Sequence, residues 1–196
     1  MKGAQNVNGM YVDESEAGLS FRNHGELLIL GGGDHRTGKN GGKWSELRQF
    51  VKEHYPGAEE QYMWATQDCM TLDGIPYIGH YSKSTPNIYV ATGFNKWGMT
   101  SSMVSAMILT DMVLGRRNEY APVFSPQRSI LKPQLLVNGA EAITNLLSPN
   151  TKRCSHMGCA LKWNPTEQTW DCPCHGSRFN KNGALIDNPA TRPLKH

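Results

Sequence analysis

Two short apolar runs, Leu19–Arg22 and Glu26–Leu30, flank the polar triplet Asn23-His24-Gly25, which predicts a β-hairpin. Leu47, Phe50, Val51 and His54 recur at helical spacing, and Pro56-Gly57 ends the run. The pattern predicts a helix over Trp44–Tyr55 with its apolar stripe in a core. Glu60–Thr66 alternates as a strand does, and Gln67–Gly74 is a polar return. Gly74–Gly79 reads as a turn into a short strand, and Ile88–Thr92 as a further strand with Gly93 opening a tight loop. Thr100, Ser101 and Ser102 are cap candidates for a helix running to about Leu114, with Met103, Val104, Met107, Ile108 and Met112 as its buried face. Gly115 ends that helix, and Arg116 and Arg117 sit at its negative end. Pro122, Pro126 and Pro133 punctuate a connector from Glu119 to Asn150, in which Glu141–Leu147 forms a short helix. Asn182-Gly183 signals a two-residue type I′ turn between Arg178–Phe179 and Ala184–Ile186.

Composition narrows the class. With 196 residues the chain has room for one or two domains, and 38% hydrophobic residues with 20 glycines suit a loop-rich soluble fold. A net charge of +3 gives no case for nucleic acid or an anionic membrane. The longest apolar stretch, Met99–Leu114, is interrupted by Ser105 and Asp111, so no membrane span is expected. The opening Met1-Lys-Gly-Ala-Gln-Asn has no apolar core of a signal peptide, and a cytoplasmic location is expected.

The chemistry concentrates near the C-terminal end. Four of the five cysteines and two of the seven histidines fall between Cys154 and His175. The pattern is Cys154-x-His156, fifteen residues, then Cys172-x-x-His175, so each half offers one thiolate and one imidazole. Such a cluster reads as a metal site. One candidate is a structural zinc knuckle, which would make the chain a zinc-stabilised interaction module without redox activity. The other is a two-iron cluster with two Cys on one iron and two His on the other. Cys69, far from this cluster, reads as a small buried filler.

The doubled motif Cys154-Ser-His156-Met-Gly-Cys159 and Cys172-Pro-Cys174-His175-Gly176-Ser177 closely resembles that of Rieske proteins, over Cys154 to about Pro189. The resemblance implies that Cys154 and Cys172 hold one iron and His156 and His175 the other. It implies a disulfide between Cys159 and Cys174, as in Rieske proteins of respiratory type, and a hydroxyl of Ser177 that bonds a bridging sulfide. Phe179 stands where those proteins carry a tyrosine that bonds a ligand sulfur. Without that bond, a potential below the respiratory type and above the oxygenase type is expected. Asn188-Pro189-Ala190 resembles the proline loop that covers the cluster. Trp163, Trp170 and Phe179 are expected to pack beneath it.

The rest of the chain carries a glycine-rich run. Gly33-x4-Gly38-Lys39 after an apolar strand approaches a phosphate-cradling loop, but Asn40 stands where Ser or Thr would hold magnesium, and Gly41-Gly42 follow where a helix should begin. The glycines are instead expected to let backbone pass close to a ligand or another strand. His35 and Arg36 are the candidates for substrate contact.

Asp73-Gly-Ile-Pro76-Tyr-Ile-Gly79, followed by Thr92-Gly93-Phe94-x-x-Trp97-Gly98-Met99-Thr100, resembles the C-terminal half of a D-amino-acid-oxidase-like flavoenzyme over residues 19–128. The resemblance implies FAD as cofactor, with Gly93, Phe94, Trp97, Gly98, Met99 and Thr100 against the isoalloxazine ring. The Gly-x-Gly-x-x-Gly run that holds the pyrophosphate in that family does not occur here, so the missing half is expected in a longer protein or a partner chain.

Together these readings predict an α+β chain: a partial flavoenzyme domain over 1–128 (antiparallel sheet, helices and the closing strand–helix of the FAD fold), a linker over 129–150, and a small all-β Rieske domain over 151–196. They imply an FAD-dependent oxidoreductase in which a [2Fe-2S] cluster relays electrons between flavin and an external acceptor. The implied partners are a small-molecule substrate, with an amine as candidate, and a one-electron acceptor protein.

Overall fold

The computed structural model describes residues 1–14, 18–39, 44–149 and 152–195. The Asn40 and Gly41-Gly42 positions of the glycine-rich run lie outside the described residues, as does Asn150 at the end of the connector. The fold is α+β, with four helices and three antiparallel sheets among the described residues. The chain divides into two compact units, residues 1–64 together with 140 onward, and residues 65–139.

In the first unit the expected hairpin forms as β2 (Ser20–His24) and β3 (Leu27–Gly31), paired from His24↔Leu27 to Ser20↔Gly31. A third strand, β1 (Met10–Val12), pairs with β2 and was not legible in the polar sequence before it. Helix α1 (Trp44–His54) matches its prediction and sets Phe50 against Phe21 with ring centroids 5.6 Å apart. Its stripe is only half-buried, however, and no α1 residue is fully covered. The Met1 amine donates to the Leu28 carbonyl, and Lys2 pairs through its backbone with Glu59, so the first residues are tied to this sheet. The strand expected over Glu60–Thr66 does not form. Its backbone gains no partner strand, Tyr62, Met63 and Trp64 stand exposed, and Glu60 instead accepts a bidentate bond from Arg48 at 2.8 and 2.9 Å.

The second unit is built on β4 (Tyr77–His80) and β5 (Tyr89–Thr92), an antiparallel pair. Ile78 on β4 and Ile108 on helix α2 (Gly98–Val113) are its fully buried apolar residues. Thr100, Ser101 and Ser102 lie inside α2 rather than capping it. The capping residue is Trp97, which makes no side-chain cap bond. The predicted buried face of α2 is displaced as well. Ile108 is covered and Met112 lies over Gly79, while Met99, Met103 and Met107 are 85, 66 and 60% exposed. Ser101 and Ser105 face inward in their place, and Ser105 returns its hydroxyl proton to the Ser101 carbonyl at 2.7 Å. Cys69 is exposed, not a buried filler.

A short helix α3 (Ala121–Phe124) delivers Arg128 onto the second unit. Its guanidinium forks onto Asp73 at 2.8 and 2.9 Å, donates to the Pro76 carbonyl and stacks 3.8 Å from the Tyr77 ring centroid. The Arg128 bonds hold the Asp73 carboxyl well below the usual carboxylate range. Asn95, buried at φ +49°, bonds the Thr71 amide and the Gly74 and Gly93 carbonyls, which pins the loop between β5 and α2.

In the connector the short helix expected at Glu141–Leu147 is longer. Helix α4 runs Pro133–Leu147, with the proline at its first position, where a missing N–H costs nothing. No helix among the described residues is long and apolar enough to cross a membrane.

The C-terminal stretch is a four-stranded antiparallel sheet: β6 (Lys162–Asn164), β7 (Thr169–Asp171), β8 (Arg178–Asn180) and β9 (Leu185–Asp187), in that order. The turn at Asn182-Gly183 is not type I′. Only Gly183 takes positive φ, and the Asn180 side chain accepts from the Asn182 and Ala184 amides, closing a four-residue loop.

Candidate metal centre

Two loops of identical backbone plan extend from the β6–β9 sheet. In the first, the Cys154 amide donates to the Cys159 carbonyl and the Gly158 amide to the Cys154 carbonyl, each at 2.9 Å. In the second, the Cys172 amide donates to the Ser177 carbonyl at 2.8 Å and the Gly176 amide to the Cys172 carbonyl at 2.9 Å. The fifth residue of each turn must take positive φ, +77° at Gly158 and +83° at Gly176, so glycine is required at both places. Each turn opens on a buried thiol, Cys154 or Cys172, and lifts an exposed imidazole, His156 or His175. The two rings meet edge to face at 5.1 Å. A disulfide between Cys159 and Cys174 joins the turns.

The remaining contacts order the thiols. The hydrogen bond from the Cys172 thiol pushes Cys154 down to about 5, with help from the His156 amide, the Ser177 hydroxyl and the Met157 amide. Cys172 is pushed up because it is the donor of that bond and is itself buried. Ser177 is fully buried, and its oxygen accepts the Ala190 amide at 2.9 Å from the loop after Pro189. Ser155 donates to the Arg192 carbonyl, which ties the same loop to the first turn. Phe179 is fully buried beneath both turns, in one core with Cys154, Cys159, Leu161, Cys172 and Ala190. Trp170 is partly buried against that core, while Trp163 pairs with it across the strands at 5.0 Å and stays 41% exposed. Of the three aromatic residues expected under the site, Trp163 is thus a sheet-surface residue.

The donor set fits a two-iron cluster better than one zinc ion. Among the described residues, the group of three or more Cys, His or acidic side chains whose ligand atoms all lie within 4.8 Å of one another is Cys159, Cys172 and Cys174, and two of these are joined as a disulfide. A tetrahedral zinc site needs four unbonded donors close around one point. Two buried thiols and two exposed imidazoles, spread over paired turns, instead match a Cys₂His₂ two-iron arrangement.

A charged group missed in the sequence braces the second turn. Arg178 is buried between Asp171, at 3.2 Å, Asp187, at 3.5 Å, and Glu167. Asp171 also accepts from Thr169 at 2.8 Å and Asn164 at 3.3 Å. Asp171 and Arg178 are cross-strand partners, directly before Cys172 and directly after Ser177, so the network clamps both stems of that turn. The signal available in the sequence was an opposite-charge pair immediately flanking a ligand loop.

The glycine-rich run lies in the same unit. Gly38 takes φ +76°, and a Cβ there would stand 2.8 Å from the Pro173 backbone. The backbone does pass close to another segment, but the neighbour is the second of the paired turns, neither a ligand nor a strand. Arg36 pairs with Glu141 at 2.7 Å, Lys39 pairs with the same carboxylate at 2.9 Å, and the His35 ring lies 3.4 Å from the Gly33 carbonyl.

The residues singled out for flavin contact form one corner of the second unit. Gly93 is buried at the end of β5, Phe94 is half-buried, and Trp97, Gly98, Met99 and Thr100 are exposed at the start of α2. The uncapped amides there suit an electron-rich ring edge. Nothing in the sequence supplies a Gly-x-Gly-x-x-Gly turn for a pyrophosphate, so the corner fits one part of FAD only.

Sheet, corner and paired turns define a flavin-dependent oxidoreductase fold joined to an iron–sulfur module. Residues 2–112 match the FAD dependent oxidoreductase family, and residues 139–196 match the Rieske [2Fe-2S] domain. The chain belongs to the FAD dependent oxidoreductase family and carries a Rieske domain, whose cofactors are FAD and a [2Fe-2S] cluster respectively. Across 95% of its length it is 34% identical to the putative Rieske 2Fe-2S iron-sulfur protein YhfW of Bacillus subtilis, of which it covers 46%. Over 21% of the chain it is 52% identical to the cytochrome b6-f complex iron-sulfur subunit 2 of Trichormus variabilis, of which it covers 24%. Over 31% of the chain it is 41% identical to the cytochrome b6-f complex iron-sulfur subunit of Prochlorococcus marinus, of which it covers 33%. The chain therefore spans less than half the length of these relatives.

Proposed function

We propose that this chain is the cluster-bearing portion of a flavin-dependent oxidoreductase that passes electrons between FAD and an external one-electron acceptor protein. The substrate is a small molecule, with an amine as the candidate class. The reading rests on one observation above all: two equivalent turns, joined by a disulfide, each present one buried thiol and one exposed imidazole.

In this reading Cys154 and Cys172 hold one iron and His156 and His175 the other. When bound, the cluster supplies one-electron chemistry beside the two-electron chemistry of flavin. Ser177 places a hydroxyl at the sulfur side of the site, and Phe179 offers a dry floor without a donor. His156 and His175 turn exposed edges outward, where an acceptor protein can dock and where a proton can leave with an electron. Gly93, Phe94, Trp97, Gly98, Met99 and Thr100 take the ring end of FAD. His35 and Arg36 are the candidates for substrate contact, and Arg36 is also paired with Glu141.

Iron analysis with an EPR spectrum of the dithionite-reduced protein tests the proposal. The expected result is about two irons per chain and a Rieske-type signal, abolished by His156→Cys. Zinc without an EPR signal overturns it.

A further inference from the structure

Gly38 of the glycine-rich run does not face open solvent. Pro173, between Cys172 and Cys174, is buried, and the backbone of Gly38 passes directly over it. The approach is close enough that any side chain at Gly38 would strike the Pro173 N, Cα and Cβ. On either side of this contact Arg36 and Lys39 grip the two oxygens of Glu141, on the helix that leads into the ligand turns. The loop itself issues from β3, the last strand of the β1–β2–β3 sheet, within the segment that matches the oxidoreductase family. The two ligand imidazoles show the opposite character, since both are exposed.

We infer that the Gly33–Lys39 loop is a docking clamp. It seats the cluster module on the oxidoreductase sheet in one orientation, with Pro173 inward and His156 and His175 outward. The steric fit at Gly38 sets the orientation. The Arg36 and Lys39 pairs, 38% and 49% exposed, add a weaker, salt-sensitive grip. A module held this way keeps one orientation on the β1–β2–β3 sheet instead of moving on a tether. The inference takes its purpose from the relay proposed above, but its geometry stands apart from it.

The test is hydrogen exchange on the full chain with its cluster loaded, comparing wild type, Gly38→Val and Glu141→Gln. Iron content and the EPR signal are recorded for each, so loss of the cluster and loss of docking are read separately. Gly38→Val is expected to keep its irons while exchange at residues 33–39 and 172–176 rises together by about tenfold or more. Glu141→Gln is expected to raise the same two segments by about threefold, and added salt to bring wild type toward it. Unchanged exchange at 172–176 in Gly38→Val, or a rise confined to one segment, overturns the clamp. If Gly38→Val fails to fold, Glu141→Gln decides: a joint rise supports the clamp, and no change in either segment overturns it.

Discussion

The paired turns and the corner proposed for flavin are built on opposite plans. The turns are closed from within: the donors, the disulfide, the aromatic floor and the covering loop all lie between Cys154 and Arg192. The corner at Gly93–Thr100 is open, with Trp97 and Met99 exposed and a row of methionines running on along α2. A site that must hold charge on buried sulfur has to be insulated by its own fold. A site that binds one edge of a large cofactor can leave the rest of the contact to other residues.

The largest effect should come from breaking the closed site at its brace. Arg178→Ala leaves Asp171, Glu167 and Asp187 facing one another around a lost cation. A cost of about 3–5 kcal/mol is expected, since a buried pair that loses one partner strands the other. Thermal unfolding followed by the visible absorbance of the cluster should show the module melting first. If the melting temperature stays unchanged, the brace is not structural.

The corresponding clasp in the open unit is Arg128 on Asp73, and its failure should be smaller and pH-dependent. Arg128→Ala is expected to cost about 2–3 kcal/mol. The folded pKa of Asp73 is depressed, so its contribution is full above the ordinary carboxylate range and fades as the pH falls below about 4. Unfolding of the 65–139 unit, followed by tryptophan fluorescence between pH 7 and pH 3, should show wild type approaching Arg128→Ala at the acid end. A constant gap between the two would remove Asp73 from the account.

The smallest effect sharpens the comparison. Phe179→Tyr adds a donor to the floor of the closed site without changing its size much. One hydrogen bond to a ligand sulfur, at about 1 kcal/mol, should raise the cluster potential by about 40 mV in a redox titration. No shift would mean that position 179 does not reach the sulfur.

How much of this could be read from sequence follows the same division. The paired turns were legible because their pattern is local: a thiol, an imidazole and a positive-φ glycine at fixed offsets. Helix α1, β4 and β5 were legible from periodicity and punctuation. The face of α2 was not, because a helix rich in methionine has little polarity contrast to say which side is covered, and two serines took the inner positions. Glu60–Thr66 had a strand's alternation but no partner, and pairing is not written in a single segment. Asp171 and Arg178 flank the second turn directly, but Glu167 and Asp187 lie further off in sequence, and only the sheet brings all four together. Gly38 was marked as a place of close approach, but its neighbour lies more than a hundred residues away.

The Ala190 amide fixes more than the position of Ser177. By occupying the serine oxygen as a donor, it leaves the hydroxyl proton only one useful heading, toward Cys154. A dipole that already points the right way does not have to turn when the charge beside it changes. Buried and held from behind, this hydroxyl would lower the reorganisation that accompanies any change of charge at Cys154, which water in its place would have to undergo afresh.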